Sequence, residues 1–447
     1  MNCRHCNTPL KLVFVDLNNC PLSNDMLTQS QLDQPETYYP LKVYMCHSCF
    51  LVQVDEMKKA ELIFNNEYTY FSSFSKSWLA HAKRYVDMMT VRFNLGESSQ
   101  VIEIASNDGY LLQYFKEYNI PVLGVDPTAN TASIAISKGI PTIIDFFGSE
   151  LANKFKYQGI KADLILGNNV LAHTPNIDDF VQGVKIAMKE NGVATFEFPH
   201  LYQLIEENQF DTIYHEHFSY LSFITVYNIF KSQDLEIFDV EELPTHGGSL
   251  RVFAKHTADT TKSISPNVQK LFDKEIKAGM CTLQYYSGFQ SKVDKIKYDF
   301  WNFLIMAKKH NKTVVGYGAA AKGNTLINYC GLKGDDLIKF VCDASPFKQN
   351  RLLPGSHIPV KHPDEIKQLK PDYVIIFPWN LKTEISEQLS YIKEWNGKFV
   401  TFIPEMEIFT AKKTEIRSSI KQKFYSIRNV VAAQIALIQS DGLSANL

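Results

Sequence analysis

Two regimes of apolar and polar residues alternate along the chain. Short, fully apolar runs are followed by longer stretches with apolar residues at helical spacing, in the middle of the chain and again in its last third. Such runs predict buried strands, and their alternation with helices predicts parallel α/β sheets. The first series opens with a strand from Val101 to Ala105, a turn, and an amphipathic helix from about Gly109. VLGVDP is a second strand ending in Asp126, and Ile143 to Phe147 a third. ADLILGNN is a fourth, and GVATFEFPHL a fifth ending in Glu197 to His200. LEIFDVEELP and SLRVFAK, joined by THGG, predict an antiparallel close. The second series begins at Thr313 with VVGYGAAAKGNTLINY, again strand, glycine-bearing turn and helix. KFVCDASPFKQ follows with Asp343 at its strand end, then DYVIIFPWN and KFVTFIPEME.

These patterns predict an α/β protein with a small N-terminal ribbon (1–67) and two Rossmann-like domains (68–258 and 311–411). The stretch between the two (259–310) reads as a helical connector, opened by the Ser-Pro start signal at Ser265. The tail from 412 to 447 is polar and then carries an amphipathic helix candidate, IRNVVAAQIALIQS, to which no chemistry is assigned.

Composition adds limits. The chain has 447 residues, 45% of them hydrophobic, and a net charge of -2, so it can bury large cores and carries no basic excess for nucleic acid. It has no apolar run of about 18 residues and no signal-peptide pattern, which predicts a cytoplasmic protein without a membrane partner. There the eight cysteines are expected to be reduced. Cys3 and Cys6, with Cys46 and Cys49, form two CxxC knuckles. Together they offer the four thiolates that a structural zinc ion prefers, with no position left open for water. His5 and His47 lie inside the knuckles and are not expected to be ligands.

The first strand–turn–helix unit predicts a nucleotide site, because small residues admit a ligand to the backbone and Asp126 can accept hydrogen bonds from ribose hydroxyls. Its turn carries only Gly109 of the usual glycines, and Glu103 lies inside its strand. Those features suit S-adenosylmethionine (SAM) better than NAD, since SAM has no pyrophosphate to cradle. A polar aromatic segment (Tyr68, Tyr70, Ser72, Ser73, Ser75) precedes the unit and is expected to line a pocket. In the second domain Gly316-Tyr317-Gly318, followed by Lys322-Gly323, suits a diphosphate. Tyr214 to Tyr220, YHEHFSY, packs two histidines, a glutamate and two tyrosines after the fifth strand. A histidine is the readiest proton acceptor at neutral pH, and a tyrosine can donate to a developing oxyanion.

The two knuckles, VIEIASNDGYLL, VDPTANTA, GNNVLAHTPNI, YHEHFSY, THGGSLRVF and GYGAAAKG stand in the order found in the SAM-dependent sugar C-methyltransferases, which this chain resembles from Cys3 to about Glu405. The resemblance implies a zinc domain, a SAM domain and a C-terminal domain that binds the nucleotide of a nucleotide-diphosphate 4-keto-6-deoxysugar. It implies methylation at carbon 3, beside the ketone. His217 is then the base, Glu216 and Tyr214 its partners, and His173 and Tyr68 lie across the pocket. Tyr70, Ser72, Glu103, Ala105, Asn107, Gly109, Asp126, Asn168 and Asn169 fall on the SAM side. His246, Tyr317, Gly318, Lys322, Asp343 and Lys348 fall on the nucleotide-sugar side. Which of His173, Tyr68 and Tyr214 meets the oxyanion is left open. Family turns often carry glycine where this chain has Ala105. The alternatives are an NAD-dependent oxidoreductase working through the C-terminal domain and a zinc-ribbon adaptor. The expected assembly is a monomer or a weak homo-oligomer.

Overall fold

The computed structural model describes residues 1–65, 68 and 70–410; the predicted tail helix lies outside them. The N-terminal ribbon is β1 (Leu12–Cys20), β2 (Tyr39–Met45) and β3 (Val52–Val54), all antiparallel. The central domain contains β4 (Val101–Ile104), β5 (Val122–Val125), β6 (Thr142–Ile143), β7 (Ala162–Asn168) and β8 (Met188–Pro199). After them come β9 (Ser219–Tyr220), β10 (Leu235–Leu243) and β11 (Ser249–His256).

The seven-stranded sheet runs β10-β11-β8-β7-β4-β5-β6, with β11 antiparallel to both neighbours. The doubly wound part therefore places the C-terminal ends of β4, β5 and β7 along one edge, where open α/β sheets bind ligands. β9 does not join this sheet. Its two residues pair with β3, Val52 opposite Tyr220 and Gln53 opposite Ser219, and so complete the ribbon as β1-β2-β3-β9.

The C-terminal sheet is built from β12 (Val314–Tyr317), β13 (Val341–Cys342), β14 (Val360–Lys361), β15 (Tyr373–Ile376), β16 (Lys398–Thr401) and β17 (Glu407–Phe409). Its order is β14-β13-β12-β15-β16-β17, parallel except for β17. Helices Pro266–Ala278 and Phe289–Lys309 lie between the two large sheets. Ser265 caps the first, accepting the Asn267 amide at 3.2 Å. The second stacks Phe289 on Phe14 of β1, with centroids 4.6 Å apart.

Among the described residues the ribbon's own apolar cluster is small: Leu22, Ala60 and Ile63 with Phe218. Val15, Leu41 and Val43 belong to the apolar cluster of the C-terminal domain, whereas Leu10, Cys46 and Leu51 belong to that of the central sheet. It is a wedge between two larger bodies, which is how so short a sheet buries its apolar faces.

Three predicted elements differ in extent. β4 stops at Ile104, and Ala105 turns out of the sheet with φ +58°. The helix expected from Gly109 begins at Leu112, because Asn107 and Gly109 are also left-handed (φ +49° and +74°) and keep the chain in a turn. The third strand is only Thr142–Ile143. It lies at the sheet edge with a single neighbour, and the Phe146 amide folds back onto Asp145 Oδ1 at 2.8 Å, which ends the pairing.

Candidate functional site

The metal centre comes first in the chain. Sγ of Cys3, Cys6, Cys46 and Cys49 all lie within 4.8 Å of one another, with Cys3–Cys49 and Cys6–Cys46 at 3.5 Å. Four thiolates around one zinc ion at about 2.3 Å stand roughly 3.8 Å apart, so the set fits a closed tetrahedral site. Gln53 donates to Cys3 Sγ at 3.2 Å and supports that ligand from behind.

At the central sheet edge the turn after β4 is held by Asp126. Its Oδ2 accepts the Asn107 amide at 2.8 Å; its Oδ1 accepts the Thr128 amide at 2.9 Å and the hydroxyls of Thr128 and Thr131. A carboxylate has about four acceptor sites, so Oδ2 retains a free one. Gly109 packs so closely that a Cβ there would lie 2.4 Å from Ile140 Cδ1. The segment 70–75 lies over this turn: the Ser72 amide donates to Asn107 Oδ1 at 2.9 Å, and Asn107 Nδ2 to the Tyr70 carbonyl at 3.1 Å. Tyr70 contributes its backbone to the turn, and its hydroxyl, whose pKa burial raises, acts electrostatically on those of Tyr68, Tyr110 and Tyr214.

Around the turn, buried acceptors collect without hydrogen-bond partners of good geometry among the described residues: both oxygens of Glu103, Ser106 Oγ, Asp108 Oδ1 and Asn169 Oδ1. Burial pushes the Glu103 carboxyl well up, while the nearby Tyr110 hydroxyl pulls the other way. Buried acceptors are costly unless a donor meets them. A cationic ligand rich in N–H and O–H groups would satisfy this set, and SAM is such a ligand. Asn168 donates instead to the Tyr110 hydroxyl at 3.2 Å. Asn169 Nδ2 is 3.0 Å from His246 Nε2.

The YHEHFSY stretch stands beside that edge. His217 is buried, and its Nδ1 is 2.8 Å from the Thr212 carbonyl. A carbonyl only accepts, so Nδ1 carries the proton and Nε2 the lone pair, which accepts from the Tyr214 hydroxyl at 2.9 Å. Burial, then the neighbouring His173, hold the His217 pKa well below its ordinary value, so the ring is neutral at physiological pH. His173 packs edge-on against it with centroids 4.6 Å apart, and burial lowers its own pKa to about 4. Glu216 accepts from Asn24 Nδ2 at 2.6 Å. Burial raises its carboxyl to about 7, against the pull of Asn24, Lys348 and the Tyr68 hydroxyl. His215 points the other way, to the Pro40 carbonyl at 3.2 Å, and serves the ribbon.

The C-terminal domain closes the far side. Helix Ala321–Tyr329 docks on the segment just before the motif, Thr325 Oγ1 donating to the Ile213 carbonyl at 2.9 Å. Lys322 at its start donates to Asn380 at 2.9 Å and lies 4.4 Å above the Trp379 ring. Trp379 Nε1 donates to Asp211 at 2.8 Å. Desolvation brings the Lys322 ammonium down to about 8. Asp343 spends Oδ2 on the Ala319 amide at 2.8 Å, and Lys348 donates to the Ala319 carbonyl at 2.9 Å. A Cβ on Gly318 would meet Pro378 Cδ at 2.4 Å. Tyr317 contacts Gln388, its hydroxyl 3.3 Å from Oε1, away from the motif.

His173, Tyr214, Glu216, His217, Tyr68, His246 and Lys322 therefore gather around one space, whereas Tyr317, Gly318 and Asp343 stay within their own domain. Asn24, Asp211 and Thr212 were not singled out by sequence. Asp211 and Thr212 stand within three residues of the motif's start, which was the available signal; Asn24 had none.

Three family models match the chain. Residues 3–64 match a model described as "Putative zinc binding domain", 78–240 a methyltransferase domain, and 244–404 a C-methyltransferase C-terminal domain. The C-methyltransferase NovU of Streptomyces niveus is 32% identical over 412 residues, 92% of this chain and 97% of that protein. The chain belongs to the C-methyltransferase family. As a family member it is a SAM-dependent enzyme with a zinc site in its N-terminal domain. Two solved structures align with less than half of the chain. One is a SAM-dependent methyltransferase from Anabaena variabilis (16% identity, 46% of this chain and 99% of that one, TM-score 0.34). The other is magnesium protoporphyrin IX methyltransferase from Synechocystis with bound SAM (14% identity, 40% and 80%, TM-score 0.30). Among the described residues no helix is long and apolar enough to cross a membrane.

Proposed function

We propose that this C-methyltransferase acts at carbon 3 of a nucleotide-diphosphate 4-keto-6-deoxysugar, with His217 as the base. The observation that carries the reading is the tautomer and charge of His217: neutral, with Nδ1–H fixed on Thr212 and Nε2 directed toward Tyr214 beside the SAM edge. A carbon next to a ketone is acidic only as far as the enolate is stabilised, so a base and a donor must act together.

When the substrate enters, the Tyr214 hydroxyl leaves Nε2 and the ring takes the proton from carbon 3. The C–H electron pair becomes the enolate. Tyr214, Tyr68 or His173 donates to its oxygen. SAM supplies an electrophilic methyl group. The enolate carbon forms the new C–C bond to that methyl, S-adenosylhomocysteine leaves with the sulfur's electron pair, and the proton on His217 passes to solvent. Residues 70–75 cover the turn and exclude water from the transfer. Lys322 and Lys348, which act electrostatically on His217 and Glu216, supply positive charge for the diphosphate. The oxidoreductase alternative draws no support from the family models or from the C-methyltransferase relative.

The test is incubation with SAM and a panel of nucleotide 4-keto-6-deoxysugars, read by mass spectrometry. A gain of one methylene, lost in His217→Asn while SAM binding persists, is expected. Methylation that survives His217→Asn would remove the assigned base, and no acceptor in the panel would remove the substrate class.

A further inference from the structure

One arginine of the first zinc knuckle reaches into the catalytic neighbourhood. Arg4 lies between Cys3 and Cys6, and its guanidinium points away from the metal. Nη1 donates to the Pro175 carbonyl at 2.8 Å, Nη2 donates to the Val54 carbonyl at 2.5 Å, and the cation stands 5.5 Å from the centroid of the Phe218 ring. Pro175 is two residues beyond His173; Phe218 is next to His217. The knuckle's own backbone closes the circuit, because the Arg4 amide donates to Gln53 Oε1 at 3.0 Å and Gln53 Nε2 to Cys3 Sγ. His5 adds a parallel contact, Nδ1 at 2.8 Å from Asp178.

We infer that Arg4 is a positioning residue that couples the metal-held knuckle to the His173–His217 pair. The two histidines sit on different segments. Their rings touch only because the loop after β7 and the stretch before β9 are brought to a common distance. The second of these segments is already fixed by β9 pairing with β3. The first is not in that sheet, and the knuckle holds it through Arg4 and His5. A planar guanidinium with a forked donor pair suits this task, since it holds two carbonyls at a set separation where an ammonium would hold one. The zinc ion thereby gains a role in catalytic geometry without approaching the substrate. An error of about 1 Å in such a pair can cost about a hundredfold in rate.

The inference predicts an asymmetry. In Arg4→Gln with zinc retained, amide hydrogen exchange should quicken in residues 171–178, while residues 214–220, held by the sheet, change less. SAM binding by calorimetry should be unchanged. Where the panel yields an acceptor, kcat should fall tenfold or more with KM for SAM unaltered. Arg4→Lys keeps the cation and loses the fork, and should fall between Arg4→Gln and the parent in both readouts. It also serves if Arg4→Gln loses its metal. Unchanged exchange in 171–178 in a zinc-loaded Arg4 variant overturns the inference, and so does loss confined to SAM binding. Because exchange is read without substrate, failure of the proposed sugar chemistry leaves this test intact.

Discussion

The two Rossmann-like units share one construction and differ in what they leave open. In each, the acid closing the second strand ties down the turn after the first, Asp126 through the Asn107 amide and Asp343 through that of Ala319, and also holds the amide two residues beyond itself, Thr128 or Ser345. Around the central turn, buried acceptors remain unmatched. Around the C-terminal turn, Pro378 fills the space beside Gly318 and Lys348 takes the Ala319 carbonyl, and the unmatched buried atoms are those of Asn324 and Ser345 Oγ rather than carboxylate oxygens. The first unit is built to receive a cationic ligand. The second is filled by Pro378 at its turn, and its helix docks through Thr325 on the segment before YHEHFSY. A strand–turn–helix pattern with a trailing acid thus specifies a way of making a tight turn, and ligand binding depends on what surrounds it.

The sharpest contrast should come from His217→Asn, which is expected to lower methyl transfer by about a thousandfold while SAM affinity is kept. Comparable loss of SAM binding by calorimetry would put His217 in the donor site instead. Next in size, Glu103→Gln should weaken SAM binding by about tenfold or more: burial favours the neutral carboxyl in the free protein, a bound donor-rich cation favours the ionised one, and an amide cannot ionise. Asp343→Asn should lower thermal stability and leave SAM affinity alone. If both substitutions moved SAM affinity equally, the distinction between the units would fail.

A third effect concerns acid. Burial keeps His173 and His246 at about 4, and His217 also below its ordinary value. Their folded pKa values lie under that of an unfolded histidine, so the unfolded chain binds more protons below about pH 6.5. Stability is therefore lost as pH falls from about 6.5 toward 4. Denaturant melts across this range should show that slope in the parent and a shallower one in His246→Gln. Glu216 acts with the opposite sign. Its carboxyl is raised to about 7, so it costs stability as pH rises from about 4.5 to 7, and Glu216→Gln should remove that cost. The smallest effect is Ala105→Gly. Relief of a left-handed alanine should stabilise the chain by about 1 kcal/mol, read as a higher melting temperature.

Both sheets were legible in the sequence because buried parallel strands read as unbroken apolar runs, and the knuckles because thiolate spacing is restrictive. The gathering of His173, Glu216 and His217 was legible only through the family resemblance. Ordinary patterning does not reveal that the loop after β7 meets a stretch over forty residues later. Asn24 was invisible for a further reason: it comes from an irregular ribbon loop, and its bond to Glu216 depends on how the ribbon wedges between the other two bodies. The ends of β4 and β6 were misjudged for local causes, left-handed residues and a side chain folding back on its own backbone, which apolarity does not encode.

The pairing of β9 with β3 bears on how the chain is assembled during synthesis. The ribbon's outer strand waits for a partner that leaves the ribosome only when residues 219–220 have been made. Until then Val52–Val54 presents a bare strand edge, a template for mispairing with other nascent chains. When the partner arrives, a short pairing joins the earlier-made ribbon to the motif that carries the proposed base. Fragments cut between these points should aggregate, whereas a chain extended through the motif can close its first sheet.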